Sequence, residues 1–265
     1  MTAQRIFDAG HYESLNTSRG AVVSAILSEL SAPLALHSAI DVGCGLGHFS
    51  GLLKSLDLRV TAVDGRPQNV QEAQRRYPDI PFRVCDAQEP ALSDFGRFDL
   101  VFCFGLLYHL ENPLATIRTL QGMTAKLLLV ESVIFPGNEP IMALVDEGNT
   151  EDQGLNHIAF YPTEACLTKM LYRAGFENVY EFTTQPDHPE YRSTQTSRRT
   201  RTVLAASHSP LQSTQLRKIP EASTPIAPWD PRSGAPEPGP LRKLLRFVGA
   251  TIPGKVQSIK RAVRS

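Results

Sequence analysis

The chain has 265 residues, 42% of them hydrophobic, enough for one catalytic-sized domain with a real core plus an appendage. Its formal charge is zero, but residues 211–265 hold ten Lys/Arg against three acids, so residues 1–210 carry the opposite surplus of seven negative charges; an anionic partner is therefore expected of the tail and not of the body. The polar start (MTAQRIFDAGHYES) reads against a signal peptide, no apolar run reaches the ~18–20 residues of a membrane span, and Cys44, Cys85, Cys103 and Cys166 lack the spacing of a zinc site or disulfide framework, which suits a reducing, cytoplasmic setting.

In chain order, residues 14–30 carry Val22, Ile26 and Leu30 at helical spacing. Residues 39–42 form a short buried strand that runs into Gly43-Cys44-Gly45-Leu46-Gly47, with a helix expected over 46–56. A second strand, 59–63, ends at Asp64. A polar helix over 67–76 stops at Tyr77-Pro78, and a third strand, 82–85, ends at Asp86. Residues 98–104 and 126–131 are the fourth and fifth strands. A helix over 163–174 has Pro162 before it and Gly175 after it. Strands at 178–182 and 200–206 leave no helical pattern between them, so they should pair antiparallel. Strands separated by helices imply right-handed crossovers and a parallel sheet, giving a doubly wound, mostly parallel α/β Rossmann-like fold of seven strands with a terminal antiparallel hairpin. The catalytic domain is assigned to residues 1–209. Seven prolines within 211–240 mark 210–240 as an extended linker, and residues 241–265 recover a basic amphipathic pattern.

A strand, a glycine-rich turn and a helix make a nucleotide-type site, and the details choose among ligands. The third glycine is Gly47, where the dinucleotide pattern wants position 48, and that position is His48. Asp41 precedes the loop, awkward for a pyrophosphate but suited to S-adenosylmethionine, which carries an ammonium and a sulfonium. Asp64, with Gly65 beside it, is placed to accept hydrogen bonds from both ribose hydroxyls, and Asp86-Ala87 to meet the adenine amino group. All three lie at carboxyl ends of successive strands, where open α/β sheets bind ligands. Cofactor contacts are thus expected from Asp41, Gly43, Cys44, Gly45, Gly47, Asp64, Gly65, Asp86, Ala87 and Phe104, with Arg19 a candidate partner for the methionine carboxylate.

Asp41-Val42-Gly43-Cys44-Gly45-Leu46-Gly47 resembles motif I of the class I methyltransferases. Val63-Asp64-Gly65, Cys85-Asp86-Ala87 and Phe98-Asp99-Leu100-Val101, the last leading to Gly105-Leu106-Leu107-Tyr108-His109-Leu110, resemble their next three motifs. The resemblance covers residues 10–207 and implies the strand order 3-2-1-4-5-7-6 and S-adenosylmethionine as cofactor. Leu107-Tyr108-His109 and Phe160-Tyr161-Pro162-Thr163 are similar, more particularly, to the core of the tRNA wobble-uridine carboxymethyltransferases; that family's long N-terminal region is absent from this chain.

Methyl transfer is an in-line displacement that needs alignment, plus a base if the nucleophile must lose a proton. His109 and His157 are the candidate bases, because imidazole titrates near neutrality. Tyr108 and Tyr161 are candidate substrate-lining residues. Glu131, ending the fifth strand, reads as a structural hydrogen-bond acceptor. The fourth strand ends in Phe104-Gly105-Leu106 rather than Asn/Asp-Pro-Pro-Tyr, which argues against amino-methylating nucleic-acid enzymes, and no metal-ligand cluster stands out. A methyltransferase acting on a small-molecule, glycan or lipid-linked acceptor is the first reading. The alternatives are an RNA- or tRNA-modifying methyltransferase, against which the acidic body counts, and a non-catalytic cofactor-binding scaffold. The tail is expected to meet an anionic membrane surface, peripheral to its inner face, or a protein partner.

Overall fold

The computed structural model describes residues 5–221. Helix α1 (Gly10–Leu30) buries Leu15, Arg19, Val23, Ile26, Leu27 and Leu30 on one stripe. The chain then alternates β1 (Ser38–Val42), α2 (His48–Ser55), β2 (Arg59–Asp64), α3 (Pro67–Arg76), β3 (Phe82–Val84), β4 (Phe98–Phe104), α4 (Pro113–Met123) and β5 (Thr124–Val133). A hairpin of β6 (Met142–Asp146) and β7 (Ile158–Pro162) follows, then α5 (Glu164–Ala174), β8 (Asn178–Phe182), β9 (Arg201–Ser207) and β10 (Leu216–Lys218). Residues 193–198 fall outside the main compact unit, and within them the Thr194 N–H donates to Ser197 O at 2.8 Å.

The main sheet runs β10-β8-β9-β5-β4-β1-β2-β3. β1 to β5 are parallel, while β9 lies antiparallel to both β5 and β8. This is the expected doubly wound α/β order with one strand added at the edge. Side-chain alternation explains the two layers, because successive residues of a strand point to opposite faces. Leu100, Phe102 and Phe104 of β4 and Leu127 and Leu129 of β5 pack with Val23, Ile26 and Leu27 of α1. Val101, Cys103, Leu128 and Val130 pack on the other face with Ile117 and Leu120 of α4 and Leu167 and Leu171 of α5.

The structure departs from the sequence reading in three places. The chain does not leave the sheet at Ser209: Leu216, Arg217 and Lys218 pair antiparallel with Phe182, Glu181 and Tyr180, and the buried Leu211 donates its N–H to Tyr180 Oη at 2.8 Å. The sequence pattern set no bounds for helix α4. Its start is marked by Asn112, whose side chain caps the Ala115 N–H, followed by Pro113. The β6–β7 hairpin has no strand signal in the sequence, because β6 buries no residue and lacks the apolar alternation that signals a strand. The amphipathic segment 241–265 and most of the linker lie outside the described residues. No helix among the described residues is long and apolar enough to cross a membrane.

Candidate active site

The carboxyl ends of β1, β2, β3 and β4 open into a cavity of about 570 Å³, within the ~300–1,000 Å³ range of small-molecule sites. At its floor the loop after β1 turns on Gly43 (φ 79°) and Gly45 (φ 53°), a left-handed backbone that favours glycine. The Gly43 and Cys44 N–H groups both donate to Val63 O, at 2.8 and 3.0 Å, which ties the loop to β2. Gly45 instead donates to Asp64 Oδ2 at 2.9 Å. Asp64 Oδ1 accepts from Arg66 N at 2.8 Å and Asn69 Nδ2 at 3.2 Å. Burial raises the Asp64 pKa against these hydrogen bonds. Asp86 accepts from Gln88 N at 3.0 Å. Gly43, Cys44, Gly45, Asp64, Gly65, Asp86, Ala87 and Phe104 all line the cavity, as does Arg19.

Two of the expected contacts stand behind the wall. Asp41 is buried and accepts from Ser50 Oγ at 2.6 Å. Burial pushes its pKa up to about 7, with the Ser50 hydroxyl opposing. It braces α2 against β1 and does not line the cavity. Gly47 (φ 84°) precedes α2, and a Cβ there would come within 2.9 Å of Phe82 and 3.0 Å of Tyr77. Its requirement is close packing on these rings, not ligand contact.

The opposite wall comes from distant parts of the chain. A single 3-10 turn, Leu107–His109, follows β4 and brings Tyr108 and His109 to the cavity. The His109 Nδ1 lies 2.7 Å from Glu147 Oε2, and the Glu147 side chain is 1% exposed. Tyr108 lies under the Arg201 guanidinium, 5.7 Å from the ring centroid, at the range of a cation–π contact. Arg201 opens β9 and also lines the cavity. Behind it, Glu131 Oε1 accepts from Arg19 Nη2 at 3.0 Å, Arg201 Nη1 at 3.1 Å and Tyr191 Oη at 2.7 Å, while Oε2 is buried with no hydrogen-bond partner among the described residues. Burial works against ionisation of Glu131, but the two guanidinium charges outweigh it and hold its pKa below the usual carboxylate range. Arg201 also pairs with Glu190.

Glu131 is thus the structural acceptor expected of it, and Arg19 is a buried ion-pair partner that also lines the cavity. Tyr161 stands behind Tyr108, ring centroids 6.0 Å apart and edge-on, rather than on the wall. His157 sits in the β6–β7 connection with φ 58°, exposed, its Nδ1 3.1 Å from Gly148 O, and away from the cavity. The structure therefore brings His109, and not His157, to the site. Glu147, Arg201 and Tyr191 were not expected there. Only Arg201 left a trace in the sequence, as an arginine opening an otherwise buried strand.

The mouth is covered by two segments that hold each other. Phe7 and Tyr12 come from the start of the chain, and residues 151–155 from the β6–β7 connection. Tyr12 Oη donates to Asp152 Oδ2 at 2.6 Å, Arg5 pairs with Glu151 at 2.6 Å, and Arg66 Nη2 donates to Gln153 O at 2.9 Å.

These features fit S-adenosylmethionine. Glycines at the floor let a ligand approach the backbone, an acid lies at the end of β2, and acids outnumber arginines on the lining, which suits a sulfonium and an ammonium. Residues 40–126 match the family model described as a methyltransferase domain. Over these residues the chain is similar to the S-adenosylmethionine-dependent methyltransferases. Among solved structures, the N-terminal domain of EvdMO1 with SAH bound superposes with a TM-score of 0.58 at 18% identity, covering 75% of this chain and 84% of that one. Magnesium protoporphyrin IX methyltransferase (ChlM) from Synechocystis PCC 6803 with bound SAM superposes with a TM-score of 0.52 at 20% identity, covering 77% and 88%. At such identities these neighbours share the methyltransferase fold. In sequence, the tRNA U34 carboxymethyltransferase of Wolinella succinogenes is 33% identical over 149 residues, 52% of this chain and 51% of its own length. That of Actinobacillus succinogenes is 27% identical over 160 residues, 56% and 47%. This methyltransferase spans about half the length of the curated relatives it matches.

Proposed function

We propose that this methyltransferase modifies an RNA of the tRNA class, with His109 as the general base. The observation that carries the acceptor is the similarity to tRNA U34 carboxymethyltransferases, which weighs toward the RNA reading over the small-molecule reading that the sequence alone put first. When bound, S-adenosylmethionine supplies an activated carbon on a sulfonium. Asp64, Gly45 and Asp86 orient it from the floor. On the other wall, Tyr108 and Arg201 shape the place where the acceptor enters. His109 takes the proton that a hydroxyl or ring N–H must lose as it becomes a nucleophile. The covering segments exclude water, so that the charges on the wall act in a low dielectric.

The relatives' name also points to a carboxymethyl group. A donor whose transferred carbon carries a carboxylate needs a cation at this end of the cavity, and Arg201 stands there. The surplus of acids in residues 1–210 favours a second reading, a small-molecule acceptor.

Methyl-labelled S-adenosylmethionine, incubated in parallel with bulk tRNA and with a small-molecule cell extract, separates the two. Label in one tRNA nucleoside, identified by mass spectrometry after digestion, is the expected result. Label confined to the extract would replace the RNA reading with the second one. Replacing His109 by Asn should slow turnover by roughly 10²–10⁴-fold, and an unchanged rate would remove it as the base.

A further inference from the structure

We propose that Glu147 is a positioning residue that sets the tautomer of His109 and makes correct base orientation depend on the closed state of the β6–β7 connection. The proposal rests on the reading of His109 as the base. One carboxylate oxygen, Glu147 Oε2, meets two groups: His109 Nδ1 at 2.7 Å and the Gly154 N–H at 2.8 Å. The Gly154 amide can only donate. An ionised carboxylate oxygen can only accept, so Nδ1 of a neutral His109 must carry the ring proton. The other nitrogen, Nε2, then holds the free lone pair, and a base needs that lone pair. Which nitrogen is protonated in a histidine is set in this way by the hydrogen bond the other makes.

The same oxygen joins the base to the cover of the site. Glu147 opens the β6–β7 connection, Gly154 closes its far side, and between them residues 151–154 line the cavity. Leu155 continues the cover: its Cδ1 lies where a Cβ on Gly65 would come within 2.8 Å. Position 154 admits only glycine in this arrangement, because a Cβ there would lie 2.9 Å from His109 O and 3.0 Å from Glu147 Oε2. Glu147 itself does not line the cavity, so it acts through His109 and not on the ligand. The other groups around His109 are the Tyr108 ring, with centroids 4.1 Å apart, then Tyr161 and Arg201 packed on Tyr108. Neither His109 nitrogen hydrogen-bonds any of them among the described residues, which leaves Glu147 as the group that selects the tautomer.

The test is nitrogen-15 NMR of the full chain bound to S-adenosylhomocysteine, at about pH 9, well above the ordinary imidazole range near ~6.5. It reads the tautomer without an acceptor substrate. Wild type is expected to show His109 as the Nδ1–H form. Glu147→Leu should shift it toward the Nε2–H form that imidazole favours in water, whereas Glu147→Gln, whose carbonyl oxygen still accepts, should keep the Nδ1–H form. Gly154→Ala should reproduce the leucine result by wedging the connection away, which keeps the test decisive if Glu147→Leu fails to fold. With the acceptor in hand, Glu147→Leu should lower kcat by roughly 10²-fold with S-adenosylhomocysteine affinity unchanged, and Glu147→Gln should recover most of that loss. The same tautomer in wild type and in both Glu147→Leu and Gly154→Ala, or an Nε2–H form in wild type, would overturn the proposal. Absence of label in tRNA would overturn the acceptor reading and leave the tautomer result standing.

Discussion

The two walls of the cavity are built in opposite ways. The donor wall is local: Gly43, Gly45, Asp64 and Asp86 fall within 44 residues, at the ends of three successive strands, and their contacts are mostly with backbone. The acceptor wall is assembled at long range from side chains. His109 meets Glu147 across 38 positions, Arg201 meets Glu131 across 70, and Arg19 meets Tyr191 across 172. Donor recognition therefore survives as a motif. The wall proposed for the acceptor rests on a buried ionic cluster that no short window of sequence displays, and the family match at residues 40–126 stops short of most of it.

The largest effect is expected where the acceptor wall is anchored. Glu131→Ala leaves Arg19 and Arg201 buried without their shared carboxylate, and should cost roughly 3–5 kcal/mol of stability, read by urea unfolding. A cost as small as that of a surface substitution would show that the cluster does not hold this wall. Cutting the chain after residue 210 should cost less, roughly 2 kcal/mol, since it removes Leu211 and strand β10 from a packed edge; cutting after residue 221 should leave the melting temperature unchanged. Equal melting of the two truncated chains would restore the domain boundary at residue 209.

A pH-dependent effect belongs to the donor side. Burial raises Asp41 to about 7, so the folded chain keeps a proton that the unfolded chain releases above ~4. Stability from this group is then present at acid pH and is lost as pH rises from about 4 to about 7. Relative to wild type, Asp41→Asn should gain stability over that window and no further above it. Parallel pH curves would mean that Asp41 is ionised in the fold.

This division explains what was legible beforehand. The parallel sheet and its antiparallel end followed from strand patterning and from the missing helix between residues 182 and 200, and the strand order from the resemblance to the class I methyltransferases. The glycine loop and Asp64 were readable because close backbone approach and ribose recognition demand those residue types at those places. Asp41 was misplaced because a carboxylate one turn from the loop has the same sequence signature whether it faces a ligand or, as here, the Ser50 hydroxyl. The hairpin was missed because Met142 and Leu144 of β6 are exposed, so no core imposed a pattern on it. With the hairpin went Glu147, and with it the reason for preferring His109 over His157.

The most direct test of the account is calorimetric titration of the full chain with S-adenosylhomocysteine, comparing wild type with Asp64→Ala and His109→Asn. The account predicts that wild type binds, that Asp64→Ala loses roughly 1.5–3 kcal/mol because the ribose hydroxyls lose a charged acceptor, and that His109→Asn binds as wild type does. Unchanged affinity in Asp64→Ala, or an equal loss in His109→Asn, would contradict both the donor site and its separation from the acceptor wall.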